Sequence, residues 1–225
     1  MGDHAFGNKL FRIASVIGIA VKNGYDYGFP VWNDQQYFVN PLPVFEKPLK
    51  QWKMRKTFDK FDFGFQGFDI PDGRDVVGEL GSYKYFEHCD DLIKHYFTLS
   101  QQSKIEGCIF AHYRNYNNPA WANLAKEYYL KALKYFPKKQ VCVVTDDIQA
   151  AYKVLGNKFL YTSNTPIVDF GLLCSAQYLI MANSTFSWWA AYLSGAETVA
   201  PKQWYAGVLK DAPTNDLYLP NWKLI

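Results

Sequence analysis

From Gly107 onward short apolar runs alternate with amphipathic ones, and this alternation narrows the possible folds more than any other feature of the chain. Cys108–Tyr113, Val141–Thr145, Phe159–Tyr161, Tyr178–Ala182 and Thr198–Ala200 read as buried strands. Trp121–Phe136, Asp147–Leu155, Ile167–Ala176 and Phe186–Leu193 carry helical spacing between them. Strands joined by helices need right-handed crossovers, so the pattern predicts a doubly wound parallel sheet with helices on both faces. Ligands of such sheets bind beyond the carboxyl ends of the strands. Polar residues follow four of these strands: His112 and Arg114, then Asp146 and Asp147, then Thr162 and Ser163, then Asn183, Ser184 and Thr185.

The last cluster opens a helix, and a helix start attracts anions because its first N–H groups have no intrahelical acceptor and the dipole is positive there. Hydroxyls of Ser184 and Thr185 would add donors for a phosphate; the plainer alternative makes Ser184 a helix cap and the tryptophans core. Arg114 has no acidic residue within two positions and suits bidentate capture of a phosphate. His112 fits either a satisfied core histidine or a partner for a base or ribose. Asp146 and Asp147 fit an ordinary role as cap and first-turn residues of the next helix, with ligand contact as the alternative.

The first hundred residues differ in character. Leu10, Phe11, Ile13, Ala14, Ile17, Ala20 and Val21 recur at helical spacing, with Gly24 as a stop signal and Gly7 or Asn8 at the helix start. Strand-like pieces at Tyr27–Trp32 and Phe61–Phe65 and a helix over Tyr85–Phe97 follow. Phe61, Phe63, Phe65 and Phe68 fit a buried face or a sugar platform. A boundary near Ser100–Gly107 divides a smaller lobe, 1–104, from a ligand-binding lobe, 105–225.

A hydrophobic fraction of 49% argues against disorder, and a net charge of +3 is too mild to imply nucleic acid. The four widely spaced cysteines suit reduced thiols and a cytoplasmic protein. The apolar run Ile13–Val21 is too short to span a bilayer. His4, His88, His95 and His112 show no ligand spacing, so no metal is expected.

Several short segments, in order, resemble the α-1,2-fucosyltransferase family. N-S-T-F-S-W-W-A-A-Y-L at Asn183–Leu193 is similar to its signature. G-N-K-L-F at Gly7–Phe11, S-Y-K-Y-F at Ser82–Phe86, T-D-D at Thr145–Asp147, A-P-K-Q-W-Y at Ala200–Tyr205 and the closing P-N-W-K-L-I resemble further family segments. The resemblance implies a GT-B-like α/β fold: two Rossmann-like lobes, the N-terminal one reduced, the C-terminal one a doubly wound donor lobe. It implies an inverting, metal-independent glycosyltransferase that takes GDP-fucose as donor and a glycan as acceptor, with no cofactor. Arg114 would grip the pyrophosphate, His112 and Asp169 would meet the guanosine end, and Asn183, Ser184, Thr185 and Phe186 would line the donor site. Asn8 would approach the fucose or the leaving phosphate. The family's H-x-R-R-G-D loop falls on His112–Asn117, where only the His and the first Arg are kept; Asn115 and Asn117 replace the second Arg and the Asp. Another nucleotide sugar, or a non-catalytic binding role, stays open on those two changes.

Overall fold

The computed structural model describes residues 5–45, 47, 49–53, 64–101 and 107–225. Phe61, Phe63, His4 and most of the expected boundary stretch lie outside them. The chain divides into two compact units, Met1–Ser100 with Ala212–Leu219, and Gln101–Asp211 with Pro220–Ile225.

Unit 1 is built on helix α1 (Phe6–Asn23), which runs longer than the apolar repeat that marked it. Leu10, Ile13, Ala14 and Ile17 form its fully buried stripe, and Gly24 at φ 70° ends it in the left-handed conformation that favours glycine. Gly18 lets α1 touch backbone: a Cβ there would lie 1.9 Å from the carbonyl oxygen of Tyr85. Two strands, β1 (Lys50–Lys53) and β2 (Arg74–Val77), pair in parallel. The helix expected over Tyr85–Phe97 is instead two 3-10 turns, Tyr83–Tyr85 and Glu87–Cys89, followed by α2 (Asp90–Tyr96). Ser82 caps the first turn by accepting from the N–H of Lys84, which diverts the chain from a continuous helix. The strand expected over Tyr27–Trp32 is reduced to a single bridge between Phe29 and Val44. Phe65 and Phe68 pack on each other at 5.0 Å and on Tyr85, which makes them part of an aromatic cluster. The returning segment is held by Asp216, which accepts from the Phe65 N–H and pairs with Lys84 at 2.5 Å.

Unit 2 is the parallel sheet that the alternation predicted. Its strands are β3 (Cys108–Tyr113), β4 (Gln140–Thr145), β5 (Leu160–Thr162), β6 (Tyr178–Ile180), β7 (Glu197–Ala200) and β8 (Lys223–Leu224), in the spatial order β5-β4-β3-β6-β7-β8. Every pairing is parallel. Helices α3 (Lys126–Ala132), α4 (Ile148–Leu155), α5 (Pro166–Cys174) and α6 (Thr185–Ser194) make the crossovers. Side chains alternate across each strand. Ile109, Ala111 and Tyr113 join Val141 and Val143 under Tyr129 of α3 and Ala151 of α4. His112 falls on the other face, where its ring lies 5.6 Å from that of Phe186 on α6. The helix expected over Trp121–Phe136 is shortened because Trp121 bridges Tyr205 instead, and Leu133–Tyr135 tightens into a 3-10 turn. Among the described residues no helix is long and apolar enough to cross a membrane.

Candidate active site

The strand order has one reversal, between the adjacent strands β3 and β6: the chain leaves β3 toward β4 and β6 toward β7. The chains diverge there and leave a crevice, which is where sheets of this topology bind nucleotides. His112, Arg114 and Tyr116 come from the β3 end, and Asn183, Ser184 and Phe186 from the β6 end.

Ser184 has extended backbone angles, and its hydroxyl accepts from the Phe186 N–H at 3.3 Å, so the capping role foreseen for it is realised. The start of α6 is thus capped, and the positive end of its dipole lies at the β6 end of the crevice. Thr185 is the first residue of α6 and half-buried. Asn183 is fully buried, and its amide donates to the carbonyls of Ala122 at 2.8 Å and Trp204 at 2.7 Å. Those two bonds tie the loop after β6 to two neighbouring segments, and make Asn183 a strut of the cluster.

His112 is 5% exposed, and its Nδ1 is buried without a hydrogen-bond partner. Burial, helped by the Arg114 charge, pushes its pKa down to about 3, so the ring is neutral at physiological pH. A neutral imidazole with an unpartnered buried nitrogen is a costly arrangement unless something bonds to it. The carbonyl of His112 is held by the Tyr129 hydroxyl at 3.1 Å, which fixes the strand end.

Arg114 pairs with Asp146, which follows the adjacent strand β4, and its guanidinium lies 5.8 Å from the centre of the Tyr116 ring. The acidic partner absent from its sequence neighbourhood is thus supplied from 32 residues away. Asp147 caps α4 by accepting from the Ala150 N–H at 2.9 Å, and Asn115 reaches its other oxygen at 3.4 Å. Two links therefore bridge the ends of β3 and β4.

Tyr116 was not singled out from the sequence, yet its hydroxyl donates to the carbonyl of Asn183 at 2.9 Å. Its ring stacks on Trp121 at 5.5 Å. Burial raises its pKa to about 12, against the lowering effects of Arg114 and of a hydrogen bond with Ser184. Tyr116 therefore spans the crevice from β3 to β6. The available signal was its place in the His112–Asn117 loop, where the family pattern has glycine.

Asp169 sits in the first turn of α5, 6% exposed, and both its oxygens accept from Asn164, at 3.1 Å from N–H and 2.8 Å from the side-chain amide. It clamps the turn between β5 and α5, while the next residue, Phe170, packs on Phe186 at 5.2 Å. Asn8 belongs to unit 1, on the first turn of α1. Among the described residues no three His, Cys, Asp or Glu side chains gather to hold a metal ion.

The O-antigen biosynthesis glycosyltransferase WbnK of Escherichia coli is 31% identical over 109 residues, 43% of this chain and 36% of that protein. The α-1,2-colitosyltransferase of Escherichia coli is 32% identical over 94 residues, 36% of this chain and 32% of that protein. The chain thus spans about a third of the length of these curated relatives. No solved structure matches it significantly. A family model, glycosyl transferase family 11, matches residues 111–225, which include His112, Arg114, Tyr116, Asp169 and Asn183–Phe186, and the chain belongs to that family, the fucosyltransferase family its motifs resemble.

Proposed function

We propose that this chain is a glycosyltransferase that moves L-fucose from GDP-fucose to a sugar hydroxyl of a glycan, forming an α-1,2 linkage with inversion and without a metal. The observation that carries the reading is the crevice between β3 and β6, where the start of α6, the Arg114 guanidinium and the unpartnered Nδ1 of His112 converge. Breaking the bond between sugar and GDP builds negative charge on the leaving phosphate. Fixed donors at that phosphate therefore lower the barrier more than contacts to the sugar do.

Arg114 exchanges Asp146 for the pyrophosphate, the dipole of α6 faces the same group, and neutral His112 bonds to the nucleoside. Neutrality suits His112 for binding and unsuits it for a cationic role. Asn8 carries over from the G-N-K-L-F segment as the unit 1 residue that attends the donor, and the two units are read as the lobes of a GT-B-like enzyme.

A second reading keeps the chemistry and changes the donor. One relative is named for colitosyl transfer, and Asn115 and Asn117 alter the charge of the loop beside Arg114. Donor hydrolysis by the purified chain in EDTA, with GDP-fucose beside GDP-mannose and UDP-galactose, tests both. Release of GDP from GDP-fucose alone supports the first reading. Activity that needs added metal, or that prefers a UDP-sugar, refutes it.

A further inference from the structure

Unit 1 holds a cavity of about 320 Å³ beside the C-terminal half of α1, lined by Val16, Ile19, Tyr25, Asp26, Tyr27 and Arg74 among others. The volume lies in the range of small-ligand pockets, about 300–1,000 Å³. Its walls are built rather than incidental. Arg74 and Val76 share one face of β2 and are half-buried, while Asp75 and Val77 face out. Gly28 lies so close to Phe45 that a Cβ would come within 2.6 Å of the Phe45 Cβ, so this wall closes only around glycine. Asp72 accepts from the Gly73 N–H at 2.7 Å, and Gly73 at φ 65° turns the chain into β2.

Arg74 is the singular group. Its Nε is buried with no hydrogen-bond partner, and no carboxylate pairs with its guanidinium among the described residues. With no carboxylate on it, the guanidinium is open to an anion that enters the pocket. The pocket's acidic side chains, Asp26 and Asp72, are exposed and offset the charge of Arg74, which favours a singly charged ligand over a dianionic phosphate, and they accept well from hydroxyls. Tyr25, Tyr27 and Phe45 add flat apolar surface, and the Tyr27 hydroxyl is already committed to that of Tyr96 at 3.1 Å, which leaves its ring as its contribution. One carboxylate, several hydroxyls and an apolar ring face describe an acidic sugar.

We propose that this pocket binds a uronic acid unit of a glycan, with Arg74 on its carboxylate, Asp26 and Asp72 on its hydroxyls, and Tyr25, Tyr27 and Phe45 against its ring. The site stands on residues of unit 1 alone and does not depend on the donor reading.

Titration of the full chain by NMR with methyl glucuronide, its neutral match methyl glucoside, and inorganic phosphate tests it. The glucuronide binds at least about tenfold tighter than the glucoside, as one charge-assisted pairing provides. Arg74→Ala removes that preference with the far-UV circular dichroism unchanged, and Val76→Trp, which fills the cavity, removes binding of both sugars. Equal affinity for the two sugars, an intact preference in Arg74→Ala, or displacement of the glucuronide by equimolar phosphate each overturns the proposal. Failure of the parent to bind GDP sinks the donor reading and leaves this one standing.

Discussion

Arg114→Ala separates what this residue does for the fold from what it does for a ligand. At rest its side chain is 42% exposed and that of Asp146 is 49% exposed. An ion pair so open to water contributes about 0.2–1 kcal/mol, because solvent screens it and two long side chains lose freedom to form it. For a chain of this size that is a change of at most about 4 °C in Tm. Facing a pyrophosphate, the same guanidinium makes charge-assisted hydrogen bonds worth about 1.5–3 kcal/mol, or roughly 10- to 150-fold in affinity. Asp146→Asn should act in the opposite sense: with no competitor for Arg114, GDP binds up to about fivefold tighter, the equivalent of the lost pair. Calorimetric titration with GDP and a thermal melt of both variants read the two quantities. A folded Arg114→Ala protein that binds GDP within threefold of the parent refutes the phosphate assignment, and a Tm loss well beyond about 4 °C refutes the small worth given to the ion pair.

Because the folded pKa of His112 is depressed to about 3 from 6.5, the fold favours its neutral form; stability is complete above pH 6.5 and is lost as pH falls toward 3. The parent should lose about 2 kcal/mol between pH 7 and pH 5 that His112→Asn does not lose, read by urea unfolding at each pH; parallel profiles would contradict this. Gly18→Ala should lower stability by at least about 1 kcal/mol despite its gain in helix propensity, since its Cβ meets the Tyr85 carbonyl, and an unchanged or raised Tm would count against the packing described. Tyr116→Phe should cost about 0.5–1.5 kcal/mol by urea unfolding, because it removes the bond to the Asn183 carbonyl; no loss would mean that the link between β3 and β6 is idle.

Elements whose signal is local were legible in the letters. The 3.6-residue repeat of α1 with Gly24 behind it, the buried strands β3, β4 and β6, and the capped starts of α4 and α6 all follow from neighbours within a few positions. What escaped depends on residues far apart in the chain. The partner of Arg114 is on the next strand, so its short-range isolation said nothing about its resting state. The partners of the Asn183 amide nitrogen, the carbonyls of Ala122 and Trp204, lie 61 and 21 residues away, while its Oδ1 is buried without a partner. The two bonds from Asn164 to Asp169 are local, yet nothing in the letters marks which acid such a turn holds. Trp121 carried helical spacing, yet pairing with Tyr205 and stacking on Tyr116 outweighed that weak local preference.

The central claim is that the crevice between β3 and β6 recognises a guanosine diphosphate, and calorimetric titration of the parent chain with GDP beside UDP, in EDTA, tests it most directly. The account predicts saturable binding of GDP and at least tenfold weaker binding of UDP. Equal affinities, or no heat with GDP at any concentration where the fold is intact, would contradict it.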